Sequence, residues 1–188
     1  MDLFKQNIRS VISVADHDID QIVQAFDVIE IHKGENLLDV NTYCNYYYFL
    51  EKGLLRLVYY TKDKEETSWV IFEGIFFTEI ISLKSKKPTT MRIEALEPSI
   101  ILSIDEAHLD ELCDKVKPFE KYLRLTWEEN LYHVIQMKLL QQFNNAKEGY
   151  EILLKDKNLM QKIPQKYLAS ILGITPYSLS RLRRPKKT

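Results

Sequence analysis

Eight polar or basic side chains crowd the last part of this chain: Lys166, Thr175, Tyr177, Ser178, Ser180, Arg181, Arg183 and Arg184. No acid–base pair or nucleophile stands among them, so the chemistry they offer is recognition. An arginine fork matches the O6 and N7 acceptors of guanine in the major groove. On a helix starting near Thr175, the residues Thr175, Tyr177, Ser178, Arg181 and Arg184 share one exposed face, and Arg181 is the best placed to read a base. Tyr177, Ser178 and Ser180 carry hydroxyls that can donate to bases or phosphates. Lys162, Lys166, Arg183, Lys186 and Lys187 are expected to touch phosphate, which adds affinity and salt dependence without sequence information.

Two short helices must hold these groups. The first is expected over about Gln165 to Leu172, burying Leu168, Ala169 and Leu172. Ala169 is small enough to let a second helix cross closely. Gly173 suits the left-handed conformation that ends a helix. Thr175 is a good N-cap and Pro176 a good first-turn residue, so a second helix starts there, with Leu179 and Leu182 inward and Pro185 as its stop. This is a helix-turn-helix pattern with its turn glycine. An unrelated helical hairpin is the alternative.

The charge distribution points the same way. The chain has 188 residues, 26 basic and 27 acidic, for a net of −1. All 27 acidic residues lie at or before Asp156, where 18 basic ones leave a net of −9, and the segment from Lys157 to Thr188 carries +8. Such one-sided asymmetry is the electrostatic footprint expected of a nucleic-acid binder, although a merely solvated basic tail has the same sign.

The body in front of the tail divides by period. Asp16 is expected to cap an amphipathic helix with Ile19, Ile22, Val23 and Phe26 on one face. Short runs rich in β-branched and aromatic residues follow at Val28–Ile31, Tyr46–Leu50, Leu54–Tyr60, Thr67–Phe72, Met91–Leu96 and Ile100–Ile104, separated by Gly, Pro and charged turns. This spacing predicts an all-β sandwich or barrel, without the intervening helices of a parallel sheet. Asp105 caps a short helix through Leu109, Leu112 and Cys113. From Phe119 to Phe143 there is neither Gly nor Pro, and the apolar stripe is too wide for a helix with one buried side. A helix of about 25 residues, roughly 37 Å long, is expected. One side would pack on the β domain and the other on a second copy, through Leu123, Trp127, Leu131, Val134 and Ile135. A helix buried between two domains of one chain is the alternative. Asn144 to Gly149 reads as a hinge.

Other chemistry is poorly served. Cys44 and Cys113 are too few for a disulfide framework and read as reduced cytoplasmic thiols. The N-terminus lacks a signal-peptide pattern, and no apolar run reaches the roughly 18 residues of a membrane span. His17, His32, His108 and His133 are scattered, without the ligand cluster a β-barrel metal enzyme needs. No nucleophile elbow, Walker loop or dinucleotide fingerprint occurs. The expectation is a protein that is not an enzyme.

The stretch from Ile163 to Arg181, together with Lys33-Gly34-Glu35, the run Tyr48 to Arg56 with its turn glycine Gly53, and Ile93-Glu94-Ala95-Leu96-Glu97, resembles the Crp–Fnr transcription regulators in a short form seen in Bacteroidetes. The likeness runs over nearly the whole chain. It implies an α+β fold: an N-terminal antiparallel, jelly-roll-like β-roll with flanking helices (1–117), a long dimerisation helix (118–145) and a C-terminal winged helix-turn-helix (146–188). Arg181 occupies the position of the family's guanine-contacting arginine. Tyr177 stands where many members carry a glutamate, which implies a different operator. The chain ends four residues past Arg184, which leaves no room for a further C-terminal extension.

The resemblance also implies an effector pocket. Members that bind cyclic nucleotides hold the ribose with a Gly-Glu pair and the phosphate with an arginine ten residues after the glutamate. Here Glu79 matches, the glycine before it is missing, and the arginine position falls on Thr89, beside Thr90, with Arg92 three residues further on. A threonine cannot neutralise a phosphate, so cyclic AMP is not the expected ligand and no cofactor is expected. An iron–sulfur cluster needs four cysteines, twice the number present. The expected function is a cytoplasmic, homodimeric, sequence-specific DNA-binding regulator on a near-palindromic operator. RNA polymerase and an unidentified small effector are further implied partners, and no membrane is involved. The alternative is a ligand-sensing or protein-interaction module whose degenerate helix-turn-helix does not bind DNA.

Overall fold

The computed structural model describes residues 1–61, 64–142, 146–153 and 163–183. Lys162, Arg184, Pro185, Lys186 and Lys187, the wing, Phe143 at the end of the expected long helix, and the Asn144–Asn145 part of the expected hinge lie outside these residues. The fold is α+β. Helices α1 (Asp2–Val11) and α2 (Asp16–Gln24) precede eight strands: β1 (Asp27–Ile31), β2 (Asn36–Leu38), β3 (Tyr46–Lys52), β4 (Leu54–Thr61), β5 (Lys64–Phe72), β6 (Phe76–Phe77), β7 (Met91–Ala95) and β8 (Ser99–Asp105). Helix α3 (Ile80–Ser85) interrupts them. Then come α4 (Glu106–Lys115), α5 (Lys117–Gln142), α6 (Ala146–Leu153), α7 (Gln165–Ile171) and α8 (Pro176–Leu182).

The strands form two four-stranded antiparallel sheets, ordered β1-β8-β3-β6 and β2-β7-β4-β5. Strand alternation sorts the side chains into three cores. Tyr48, Leu50, Leu55, Ile71, Phe77, Ile93 and Ile101 fill the space between the sheets. Phe49, Leu102 and Ile104 point from the first sheet onto Phe4, Ile8, Ile19, Phe119 and Tyr122 of the flanking helices. Leu54 and Val70 point from the second sheet onto Met137, Tyr150, Leu168, Ala169 and Leu172. Gly53 turns β3 into β4 at φ +108°, and a Cβ there would lie 2.2 Å from Ser99 Oγ, so no other residue fits.

The six expected strands are present within a residue or a few at each end. Asp105 does cap α4, its carboxylate accepting from the His108 amide at 2.9 Å. Helix α5, with Pro118 in its first turn, has 26 residues. Two expectations need correction. Asp16 is not the N-cap of α2: Ala15 is, and the Asp16 carboxylate turns to Arg9 at 2.8 Å. The hinge does not extend to Gly149, because 146–153 is helical and Gly149 is buried in it.

Candidate nucleic-acid interface and effector pocket

Helices α7 and α8 meet at Leu172-Gly173-Ile174, with Gly173 at φ +65°. The Gly173 amide donates to Ser170 O at 2.9 Å and the Ile174 amide to Ala169 O at 3.0 Å, which ends α7. Thr175 caps α8: its Oγ1 accepts from the Ser178 amide at 3.1 Å and lies 3.1 Å from Ser178 Oγ. Leu168, Ala169, Leu172 and Leu179 are buried between the two helices, and Leu182 is half-buried.

The opposite face of α8 is open. Thr175, Tyr177, Ser180 and Arg181 are exposed, Tyr177 to 71%, and Ser178 is half-buried beneath the cap. Arg183 is exposed, but its Nε donates to Tyr150 Oη at 3.0 Å, tying the end of α8 to α6. Lys166 is exposed on α7. Seven of the eight expected recognition residues therefore sit on one two-helix unit, and Arg184 lies outside the described residues.

The expected interface residues of α5 divide. Leu123 and Trp127 are half-buried against the helix-side core, with the Trp127 ring edge-on to Phe76 at 6.0 Å. Leu131, Val134 and Ile135 are exposed, and so are Tyr132 and Leu139, which were not singled out beforehand. Leu131, Ile135 and Leu139 follow at i, i+4 and i+8 along one apolar line.

Glu79, Thr89 and Thr90 line one cavity of about 220 Å³, together with Ile81, Lys87 and Met91. Glu79 is buried, and its two oxygens accept from the Ile81 amide at 3.0 Å and the Ser82 amide at 2.9 Å as the N-cap of α3. Thr89 is buried too, its Oγ1 accepting from the Met91 amide at 3.0 Å. Arg92 is not with them. Strand alternation turns it to the outer face of its sheet, where Nη2 donates to Glu65 at 2.8 Å and Glu94 at 3.0 Å. Arg56, buried beside it, donates to Glu94 at 2.8 Å and to Glu65. Burial opposes the Arg56 charge, yet its hydrogen bonds to Glu94 and Glu65 hold its pKa above the ordinary arginine value. The cavity thus offers a committed carboxylate, a committed threonine and one lysine, and lacks the arginine a cyclic phosphate needs.

Among the described residues no His/Cys/Asp/Glu group could hold a metal ion, and no helix is long and apolar enough to cross a membrane.

Residues 28–116 match the cyclic nucleotide-binding domain family. The chain is similar over 90% of its length to 82% of the catabolite activator protein of Thermus thermophilus, at 18% identity and TM-score 0.58. It is similar over 86% of its length to 76% of a CooA variant from Carboxydothermus hydrogenoformans, at 19% identity and TM-score 0.69. The c-di-GMP responsive global regulator CLP of Xanthomonas campestris aligns over 89% of both chains, at 12% identity and TM-score 0.67. No curated protein matches the sequence. Over 86–90% of its length the chain thus has the fold of these three proteins.

Proposed function

We propose that the protein is a homodimeric, sequence-specific DNA-binding regulator of transcription whose β-roll no longer binds cyclic AMP. Residues 1–117 form the sensor, 118–145 the dimerisation helix and 146–188 the reading head. The observation that carries this reading is the exposed, N-capped face of α8. Thr175, Tyr177, Ser180 and Arg181 project from it, while every large apolar side chain of the pair except Tyr177 turns inward. An exposed polar face with a basic end is what a recognition helix presents to the major groove.

Two such heads on a symmetric dimer reach half-sites about 34 Å apart, so the operator is a near-palindrome. The acidic body repels DNA and leaves the basic head to meet it first. RNA polymerase is a partner consistent with this role, the cell's interior is its place, and catalysis has no part in it.

Selection from random duplex DNA supplies the operator and tests the reading. Arg181→Ala should weaken operator binding by about 5- to 150-fold, the value of one bidentate guanine contact, with the circular dichroism spectrum unchanged. Affinity should also fall steeply with salt. An Arg181→Ala protein that binds the operator as tightly as the parent, or binding insensitive to salt, overturns it.

A further inference from the structure

We infer that α7 and the outer face of the β7–β4–β5 sheet form a latch through which the sensor sets the position of the reading head. The inference rests on the head reading proposed above and adds how the head is controlled. β5 is an edge strand of its sheet, so its outward backbone groups need partners. At Thr67 they find a side chain of α7: Ser170 Oγ accepts from the Thr67 amide at 3.0 Å and donates to the Thr67 carbonyl at 2.9 Å. Beside this tether the Tyr167 ring lies over the Arg56 guanidinium, 4.4 Å from its carbon to the ring centroid. The reading face of α8 is left exposed by this docking. The latch therefore orients the head without hiding it.

The Arg56 side chain is one corner of a charge-balanced quartet with Arg92, Glu65 and Glu94. It is only 5% exposed, and the Nε atoms of both Arg56 and Arg92 are buried with no hydrogen-bond partner among the described residues. A desolvated, incompletely paired network gains little net free energy from staying closed. Release of Tyr167 would return Arg56 to water. The docked and released states are thus close in free energy, as a settable device requires.

The quartet is linked to the effector cavity along β7. Met91 lines that cavity beside Thr89 and Thr90, and Arg92 and Glu94 follow on the same strand, β7. A molecule that displaces the Met91 end of β7 moves two corners of the quartet, and Arg56 under Tyr167 with them.

Amide hydrogen exchange on the full chain tests this without DNA. Among the described residues no hydrogen bond, ion pair or ring contact joins Arg92 to α7, so its effect there must pass through the quartet. Arg92→Ala should speed exchange at Leu168–Leu172 by about 3- to 30-fold, the worth of a desolvated cation–π contact, while Phe4–Val11 of α1 stays unchanged. Ser170→Ala, which spares the quartet, should do the same. In a Tyr167→Ala background, Arg92→Ala should add almost nothing. Unchanged α7 exchange in Arg92→Ala, or an equal increment with Tyr167 removed, overturns the latch. Faster α1 exchange in step with α7 does so too, since it marks general loosening. If the exchange pattern holds but no operator is found, the latch stands and the DNA reading falls.

Discussion

The two halves of α5 are chemically alike and structurally opposite. In the first half Phe119 and Tyr122 are fully buried, and Leu123 and Trp127 lean on the same core. Tyr122 Oη even donates to Asn7 Oδ1 at 2.6 Å, and Asn130 Nδ2 to the Phe76 carbonyl at 2.8 Å. In the second half Leu131 is 59% and Ile135 49% exposed, and among the described side chains only Met137 is buried, in the core shared with α7 and α8. Phe119, Tyr122, Leu123 and Trp127 are thus held by the chain itself, whereas Leu131, Tyr132, Val134, Ile135 and Leu139 are left to solvent. A contiguous line of large apolar side chains on a soluble surface marks an interaction site. On the proposed dimer, the contact would lie further along the helix than the stripe alone indicated, at Leu131, Ile135 and Leu139.

Substitutions in the two halves should separate stability from assembly. The largest effect is expected at Phe119→Ala, which empties a fully buried ring site and should cost about 3–5 kcal/mol in denaturant unfolding. A cost below about 1 kcal/mol would mean the first half is not the part held by the roll. Leu131→Glu combined with Ile135→Glu should act oppositely. The folded protomer should change by about 0.5 kcal/mol or less, while sedimentation shifts from dimer to monomer. A double variant that still sediments as a dimer would remove the second half from the interface.

The smallest effect should come from the cap of α4, which precedes both halves. The Asp105 carboxylate, 2.7 Å from the ring, holds the His108 imidazole above its ordinary pKa by hydrogen bond and charge. A raised folded pKa contributes stability that is fully present below about pH 6.5 and is lost as pH rises through the raised value. A slight drop in melting temperature over that window, absent in His108→Gln, is expected, with no change in oligomeric state. A pH-dependent dimer would contradict it.

Much of this was legible in local pattern. Gly173, Thr175 and Pro176 marked the turn and the second helix because glycine, cap and first-turn residues act within a few positions. The strands showed through their alternation and their turns. Helix α1 did not show, although Phe4 and Ile8 are fully buried. It has no side-chain cap of its own; Glu51 of β3 supplies one, accepting from the Leu3 and Phe4 amides at 2.9 and 3.0 Å. A cap donated across 47 or 48 positions leaves no local trace. Arg92 was grouped with Glu79 by proximity in sequence, and only the pleat of β7 decided that it faces the other way. The pairing of Arg56 with Tyr167 was likewise invisible.

The sequence by itself determined most strands, the long helix, the tail turn and the exposed polar and basic face of α8, since propensity, period and charge are properties of neighbours along the chain. Tertiary structure alone decided which half of α5 stays bare, which side of β7 Arg92 occupies and where the head docks. Those outcomes depend on which surfaces meet in space, and burial is shared between residues that the chain keeps far apart.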